Sequence, residues 1–259
     1  MRRALVAALL LAAGASSGAQ ESHGRHGNPA DLAEYIARLE DPARGAWQKP
    51  DEVVASLGLR PGDTACDVGA GPGYFTLRLA RAVGPDGRVL AVDVEPKMVE
   101  TLRDRLASAK LANVTPILSL PEDPLLPAGA CDVVLVVDTY HHFPDGVDYL
   151  RRLARTLKRD GRIVNVDYHK RETPVGPPLH HRVSREDFLE AAGRAGLVLV
   201  EEKTLLPYQY LLVLRREQPS PATALHARTS GSLQRPGALE RTPRANAEAR
   251  RRRRLGTAA

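Results

Sequence analysis

Cys66-Asp67-Val68-Gly69-Ala70-Gly71-Pro72-Gly73-Tyr74 decides the fold of this 259-residue chain. The apolar run Thr64–Val68 reads as a strand, and Phe75, Leu79 and Val83 recur at helical spacing after it. Glycines between strand and helix let the backbone approach a ligand closely, where a helix N-terminus offers free N–H groups. Outward from this turn the alternation repeats. Val89–Val94, Val114–Leu118, Val133–Val137 and Arg162–Val166 are short Val-rich runs without polar alternation, as expected of parallel strands buried on both faces. Val99, Leu102, Leu106 and Ala109 line one intervening helix, and Val147, Leu150, Leu153 and Leu157 another. This order predicts a doubly wound α/β domain. After Val183 it changes. Ser184-Arg185-Glu186-Asp187 opens a capped helix that ends at Gly196. Leu197–Leu205 and Tyr210–Leu214 then follow, joined by a turn too short for anything but an antiparallel pair.

The residues of the turn restrict the ligand. A dinucleotide fingerprint needs a small residue at position 74, which is Tyr74 here. The pattern is instead Asp-x-Gly-x-Gly-x-Gly, built from Asp67, Gly69, Gly71 and Gly73 around Ala70. A carboxylate at the strand end repels a pyrophosphate and suits an ammonium group. Asp93, followed by Val94, closes the second strand, where an acid accepts hydrogen bonds from ribose hydroxyls. Glu122 and Asp123, beyond the third strand, are placed to accept from an adenine amino group. A nucleoside without phosphate and with a cationic amino-acid end describes S-adenosylmethionine. An NAD-dependent enzyme is disfavoured by Asp67 and Tyr74.

On these residues, on Cys131-Asp132-Val133-Val134-Leu135 and on Leu157-Lys158-Arg159-Asp160-Gly161-Arg162, the chain resembles the class I S-adenosylmethionine-dependent methyltransferases. The likeness is greatest to the type 11 group that includes quinone-biosynthesis C-methyltransferases, and it covers about residues 50–215. It implies a Rossmann-like seven-stranded sheet of order 3-2-1-4-5-7-6 with the last strand antiparallel. It also implies that Asp67 and the glycines hold the methionine part, Asp93 the ribose, and Glu122 or Asp123 the adenine. Arg159 and Asp160 replace the family's usual Pro and Gly, and Gly161 is expected to keep a tight turn there.

Ligands of open α/β sheets lie beyond the carboxyl ends of the strands. The fourth strand brings Asp138-Thr139-Tyr140-His141-His142-Phe143 there, and the fifth brings Asp167-Tyr168-His169-Lys170. His141, His142 and His169 are candidate bases. Tyr140 is a candidate to face a sulfonium. Asp138 reads as a cofactor-side or helix-capping residue. Neighbours in extended chain alternate sides, so one of His141 and His142 is expected to point into the packing. Pro174, Pro177 and Pro178 suggest a lid, whose basic character (His169, Lys170, Arg171, His180, His181, Arg182) favours an anionic or phenolic small-molecule acceptor. Asp138-Thr139-Tyr140 stands where amino-group methyltransferases carry Asn/Asp-Pro-Pro-aromatic, which argues against DNA adenine or protein glutamine. No recognised metal-ligand spacing occurs, so no metal is expected. Cys66 and Cys131 are expected at different heights on adjacent strands, which makes a disulfide doubtful.

The ends of the chain have another character. Arg2 and Arg3, the apolar run Ala4–Ala13 and Ser17-Gly18-Ala19 read as a signal peptide over residues 1–19, too short to span a membrane. It predicts a periplasmic or secreted protein, or a cytoplasmic one if translation starts elsewhere. Residues 20–50 form a polar and then helical segment with Tyr35 and Trp47, residues 51–215 the methyltransferase domain, and residues 216–259 a basic tail without periodicity that reads as disordered. That tail carries ten Lys/Arg and three Asp/Glu, more than the whole formal charge of +6, so the rest is near neutral and no specific nucleic-acid surface is predicted. Oligomeric state leaves no signal. A binding or sensing module that uses the tail as its interface is the alternative to an enzyme.

Overall fold

Seven Val- and Leu-rich segments form the strands β1 (Thr64–Val68), β2 (Arg88–Asp93), β3 (Val114–Leu118), β4 (Cys131–Val137), β5 (Leu157–Tyr168), β6 (Leu197–Lys203) and β7 (Gln209–Arg216). In this computed structural model, which describes residues 31–218, they make one sheet of order β3-β2-β1-β4-β5-β7-β6. The first five run parallel, and β7 lies antiparallel between β5 and β6. The predicted sheet order and hairpin are therefore present. The leader, residues 20–30 and residues 219–259 lie outside the described residues.

Alternation of side chains divides the core between the two faces. Ala65, Val133, Leu135, Val164 and Val166 face one way, against α3 (Pro50–Ser56), α4 (Thr76–Ala82) and Leu102 and Leu106 of α5 (Pro96–Ala109). Val68, Val134, Val136 and Ile163 face the other way, against α6 (Gly146–Thr156) and α7 (Arg185–Arg194). Central β1 is buried along its whole length, as its lack of polar alternation requires. α7 starts as its sequence predicts: Ser184 Oγ accepts from Asp187 N–H at 3.0 Å. Two short helices precede the domain, α1 (Leu32–Leu39), capped by Asp31, and α2 (Gly45–Gln48).

Two local expectations are corrected. Cys66 and Cys131 are joined by a disulfide, with Cα atoms 5.9 Å apart and a sequence separation of 65. The register of β4 against β5 shifts between Cys131 and Val133. That irregularity turns Cys131 onto the face of Val134 and Val136, where Cys66 and Val68 also lie. The second correction concerns Gly161, which stands in no tight turn. Leu157 pairs with Cys131 and Arg162 with Val133, so the residues between bulge out of β5. A Cβ at Gly161 would come within 2.7 Å of the Cys131 carbonyl oxygen, and this close approach is what requires glycine.

Candidate active site

The glycine turn leaves β1 with Gly69, Gly71 and Gly73 all at positive φ (75°, 54° and 95°), a region costly for other residues. Gly69 has a second reason: a Cβ there would collide with the Thr139 side chain. The loop's hydrogen bonds point inward. Gly69 and Ala70 N–H groups both donate to Val92 O at 2.9 Å, Gly73 N–H donates to Ala70 O, and Gly71 N–H donates to Asp93 Oδ2 at 2.8 Å. Pro72 has no N–H. The amides of Gly69, Ala70, Gly71 and Gly73 are thus already engaged.

Beyond this loop a cavity of about 340 Å³ opens over the carboxyl ends of β1, β2 and β4. Its size falls in the range of about 300–1,000 Å³ typical of small-molecule sites. Three acids line it: Asp67, Asp93 and Asp138. Asp67 is 3% exposed, and its Oδ2 accepts from Thr76 Oγ1 at 2.6 Å. Burial, with the nearby Asp93 charge, pushes its carboxyl up to about 7 despite that hydrogen bond. Asp93 uses Oδ2 to hold Gly71 and Oδ1 to accept from Glu95 N–H at 2.9 Å, and burial raises its pKa too. Asp138, on left-handed backbone (φ 51°), accepts from Gln209 Nε2 at 2.6 Å and from Gln48 Nε2 at 3.1 Å. Burial, then the charge of Asp167, lifts its carboxyl to about 6. Against these three acids Arg44 is the one arginine or lysine of the lining. Its guanidinium lies 4.3 Å over the Tyr74 ring, hydrogen-bonds Leu39 O and Gln48 Oε1, and approaches Asp138 Oδ2 at 3.9 Å. One buried and two half-buried acids against one cation favour a ligand that brings positive charge.

The remaining sequence candidates separate. Val94 lines the cavity with half of its surface open. Glu122 and Asp123 do not line it. Asp123 accepts from Arg152 at 2.9 Å and from Leu125 N–H, and Ser119 and Pro121 take the place at the cavity wall. The Ser119 hydroxyl is buried without a hydrogen-bond partner in the protein. Of the paired histidines, His142 lines the cavity and His141 points into the packing. His141 Nδ1 lies 3.3 Å from the buried carboxylate of Asp167. Burial would lower the His141 pKa, but the hydrogen bond and charge of Asp167, with Asp138 behind, leave it raised.

Tyr140 does not face the cavity. It packs edge-on against Phe143 and Phe188 at 5.8 and 4.8 Å, with its hydroxyl against Gly146. Apolar neighbours on α6 and α7 draw the ring inward, so it offers no face to a cation. The basic segment after β5 also lies outside the lining. Arg182 is 5% exposed and holds the loop together, donating to the carbonyls of His169, Arg171, Val175 and Pro177 at 2.7–3.3 Å. Its charge is used internally and gives no reason to favour an anionic acceptor. His169 is outside the cavity too, packed edge-on to Tyr210 at 5.8 Å. Tyr35 of α1 lines the cavity, whereas Trp47 packs beside Tyr168 at 5.8 Å. Gln48, Gln209 and Asp167 carry no motif. They meet Asp138 and His141 because the sheet places β7 beside β5 and the chain before β1 folds back over β4.

Comparison with known proteins agrees with this geometry. Residues 65–161 match the family model described as "Methyltransferase domain". The chain is 29% identical over 167 residues to a ubiquinone/menaquinone biosynthesis C-methyltransferase UbiE of Ectopseudomonas mendocina (64% of this chain, 63% of that protein). It is 38% identical over 104 residues to the nocamycin O-methyltransferase of Saccharothrix syringae (40% of this chain, 37% of that protein). The chain thus spans less than two thirds of the length of these curated relatives. Among solved structures, a SAM-dependent methyltransferase from Aquifex aeolicus superposes with a TM-score of 0.68 at 27% identity, covering 71% of this chain and 97% of that one. Residues 65–161 thus carry a methyltransferase domain, and the relatives and the solved structure support a class I S-adenosylmethionine-dependent methyltransferase.

Proposed function

We propose that the protein transfers the methyl group of S-adenosylmethionine to a small-molecule acceptor in the cavity over β1, β2 and β4. One observation carries this reading. The cavity has three carboxylates, one buried and two half-buried, against one arginine, beside a glycine loop whose Gly69–Gly73 amides are engaged. A phosphate finds the loop amides taken and three carboxylates against one arginine, whereas a cationic nucleoside relieves the desolvated acids. Asp67 and the turn Gly69, Ala70, Gly71 and Gly73 would hold the amino-acid end. Asp93 retains acceptor capacity for the ribose hydroxyls, since a carboxylate offers about four acceptor sites. Val94 offers an apolar flank to the base, and the orphaned Ser119 hydroxyl fits its polar edge better than Glu122 or Asp123 does. When bound, the cofactor supplies an electrophilic methyl group on a positively charged sulfur. The protein supplies position, exclusion of water by Tyr35, Leu39 and Phe143, and a place for the acceptor's proton.

The relatives act on small organic compounds according to their names, by C-methylation in quinone biosynthesis in one case and by O-methylation in the other. An acceptor of that size suits a 340 Å³ cavity. Export is part of the same proposal. The leader-like residues 1–19 support it, and so does the Cys66–Cys131 bridge, a bond that persists mainly in oxidising compartments. The test is incubation of purified protein with methyl-labelled S-adenosylmethionine and an extract of host cells, separated by size. Label in the small-molecule fraction is the expected result. Tight cofactor binding with no transfer to any fraction would convert the reading to a sensing module.

A further inference from the structure

Asp138 is held in a way that neither cofactor binding nor helix capping requires. Its φ of 51° is costly for a residue with a Cβ, and such strain persists only where surroundings over-determine it. Here they do. Asp138 N–H donates to Val166 O at 2.9 Å, Gln209 Nε2 holds Oδ1, and Gln48 Nε2 holds Oδ2. Both glutamines are almost fully buried, at 2% and 0% exposure, so each amide is fixed. Two acceptor sites of the carboxylate remain, and the fifth of the side chain still exposed adjoins the cavity. Thr139, the next residue, presses on Gly69, which puts Asp138 beside the glycine turn. Behind it lie Asp167 and His141 in a buried pair.

We propose that Asp138 is the catalytic base: its carboxylate takes the proton from a neutral hydroxyl or amine acceptor as that acceptor is methylated. This rests on the methyltransferase reading above and names the acceptor class for it. The acceptor's lone pair forms the new bond to the methyl carbon, the carbon–sulfur bond breaks, and its electron pair stays on the now neutral sulfur. The acceptor's proton passes to a free lone pair of Asp138 and then to water. An acceptor with a carboxylate or phosphate next to its reacting group would meet the charge of Asp138 and is disfavoured by the same arrangement. Gln48 and Gln209 are positioning residues that keep the carboxylate aimed and favour its charged form. His142 lines the same cavity and is the competing candidate for the acceptor's proton.

The groups facing Asp138 set its titration: Asp167 of β5, His141 after β4, Arg44 and Gln48 before β1, Gln209 of β7, and the Tyr35, Tyr168 and Tyr210 hydroxyls. Burial and Asp167 hold the carboxyl near 6, close enough to neutrality for a base that is charged at rest.

The experiment combines the labelled-extract assay with calorimetry on the full chain. In Asp138→Asn, S-adenosylmethionine affinity stays within about threefold of wild type, and label in the small-molecule fraction falls by about a hundredfold or more. The wild-type pH–rate profile has an acidic limb near 6, matched by a carboxyl titration in difference infrared spectra that the variant lacks. Gln209→Leu, which leaves Asp138 in place, moves both the limb and the infrared titration to higher pH. It keeps the test open if the asparagine variant does not fold. Undiminished transfer in Asp138→Asn overturns the base role alone, as does a limb that persists there and vanishes in His142→Gln. A large loss of cofactor affinity assigns Asp138 to the cofactor instead. A wild-type protein that binds the cofactor and labels nothing overturns the transferase reading, and the base role with it.

Discussion

Two pairs of acids, each with one member buried, stand at the cavity and are fixed by different means. Asp67 and Asp93 lie on adjacent strands and are tied by groups close in the chain: Thr76, Gly71 and Glu95. Asp138 and Asp167 are held by side chains from Gln48, His141 and Gln209, which only the folded sheet brings together. The first pair is a local device, set by a turn and a strand end. The second exists only once β7 has inserted beside β5 and the N-terminal segment has closed over β4. Under the proposed function the first pair serves the nucleoside and the second the acceptor.

The largest expected effect breaks the local side. Asp93→Ala removes the carboxylate proposed to accept from the ribose hydroxyls, two bonds worth about 1.5–3 kcal/mol each, and with it the bonds from Gly71 and Glu95 that hold the loop. Cofactor affinity should fall by about a hundredfold or more by calorimetry, with a lower melting temperature. Unchanged affinity would remove Asp93 from the site. The Cys66–Cys131 bridge comes next, since it joins the strand that carries Asp67 to the strand that leads into Asp138. Replacing both cysteines by alanine should lower unfolding free energy by about 2–4 kcal/mol in urea titrations. No change would mean that the bridge is absent in solution. Gly69→Ala combines positive φ with a collision against Thr139, for a loss of about 1–3 kcal/mol. Adding Thr139→Gly should recover the steric part and leave the backbone part, which a double-mutant cycle measures.

The smallest effect is a pH dependence. Asp67 titrates near 7 in the folded protein, against 3.8 ordinarily. Its folded value is the higher one, so the free protein loses stability from this group as pH rises from about 4 through about 7. A cationic ligand wants the charged form, so affinity should fall roughly eightfold from about pH 7.5 to about pH 6. Asp67→Asn should flatten both slopes. Slopes that persist would assign them to other groups.

Much of this division was legible beforehand, because local devices leave local signals. The turn from Asp67 to Gly73, the acid at Asp93 and the hairpin after Gly196 each follow from a few neighbouring residues and the strand order they impose. Cys66 and Cys131 misled because a register shift has no sequence mark. Tyr140 misled because an aromatic beside His141 and His142 looks alike whether it faces a ligand or Phe188. Glu122 and Asp123 drew attention by charge, while Ser119 emerged only from its burial without a partner. Gln48 and Gln209 gave no signal, since an amide reveals its role only by what it reaches across the fold.

The central claim is that the cavity selects a phosphate-free, cationic adenosine compound. Calorimetric titration of one preparation with S-adenosylmethionine and with NAD⁺, at about pH 7.5, tests it most directly. Saturable binding of the first and no measurable heat from the second is the predicted result; binding of NAD⁺ alone, or more tightly, would contradict it.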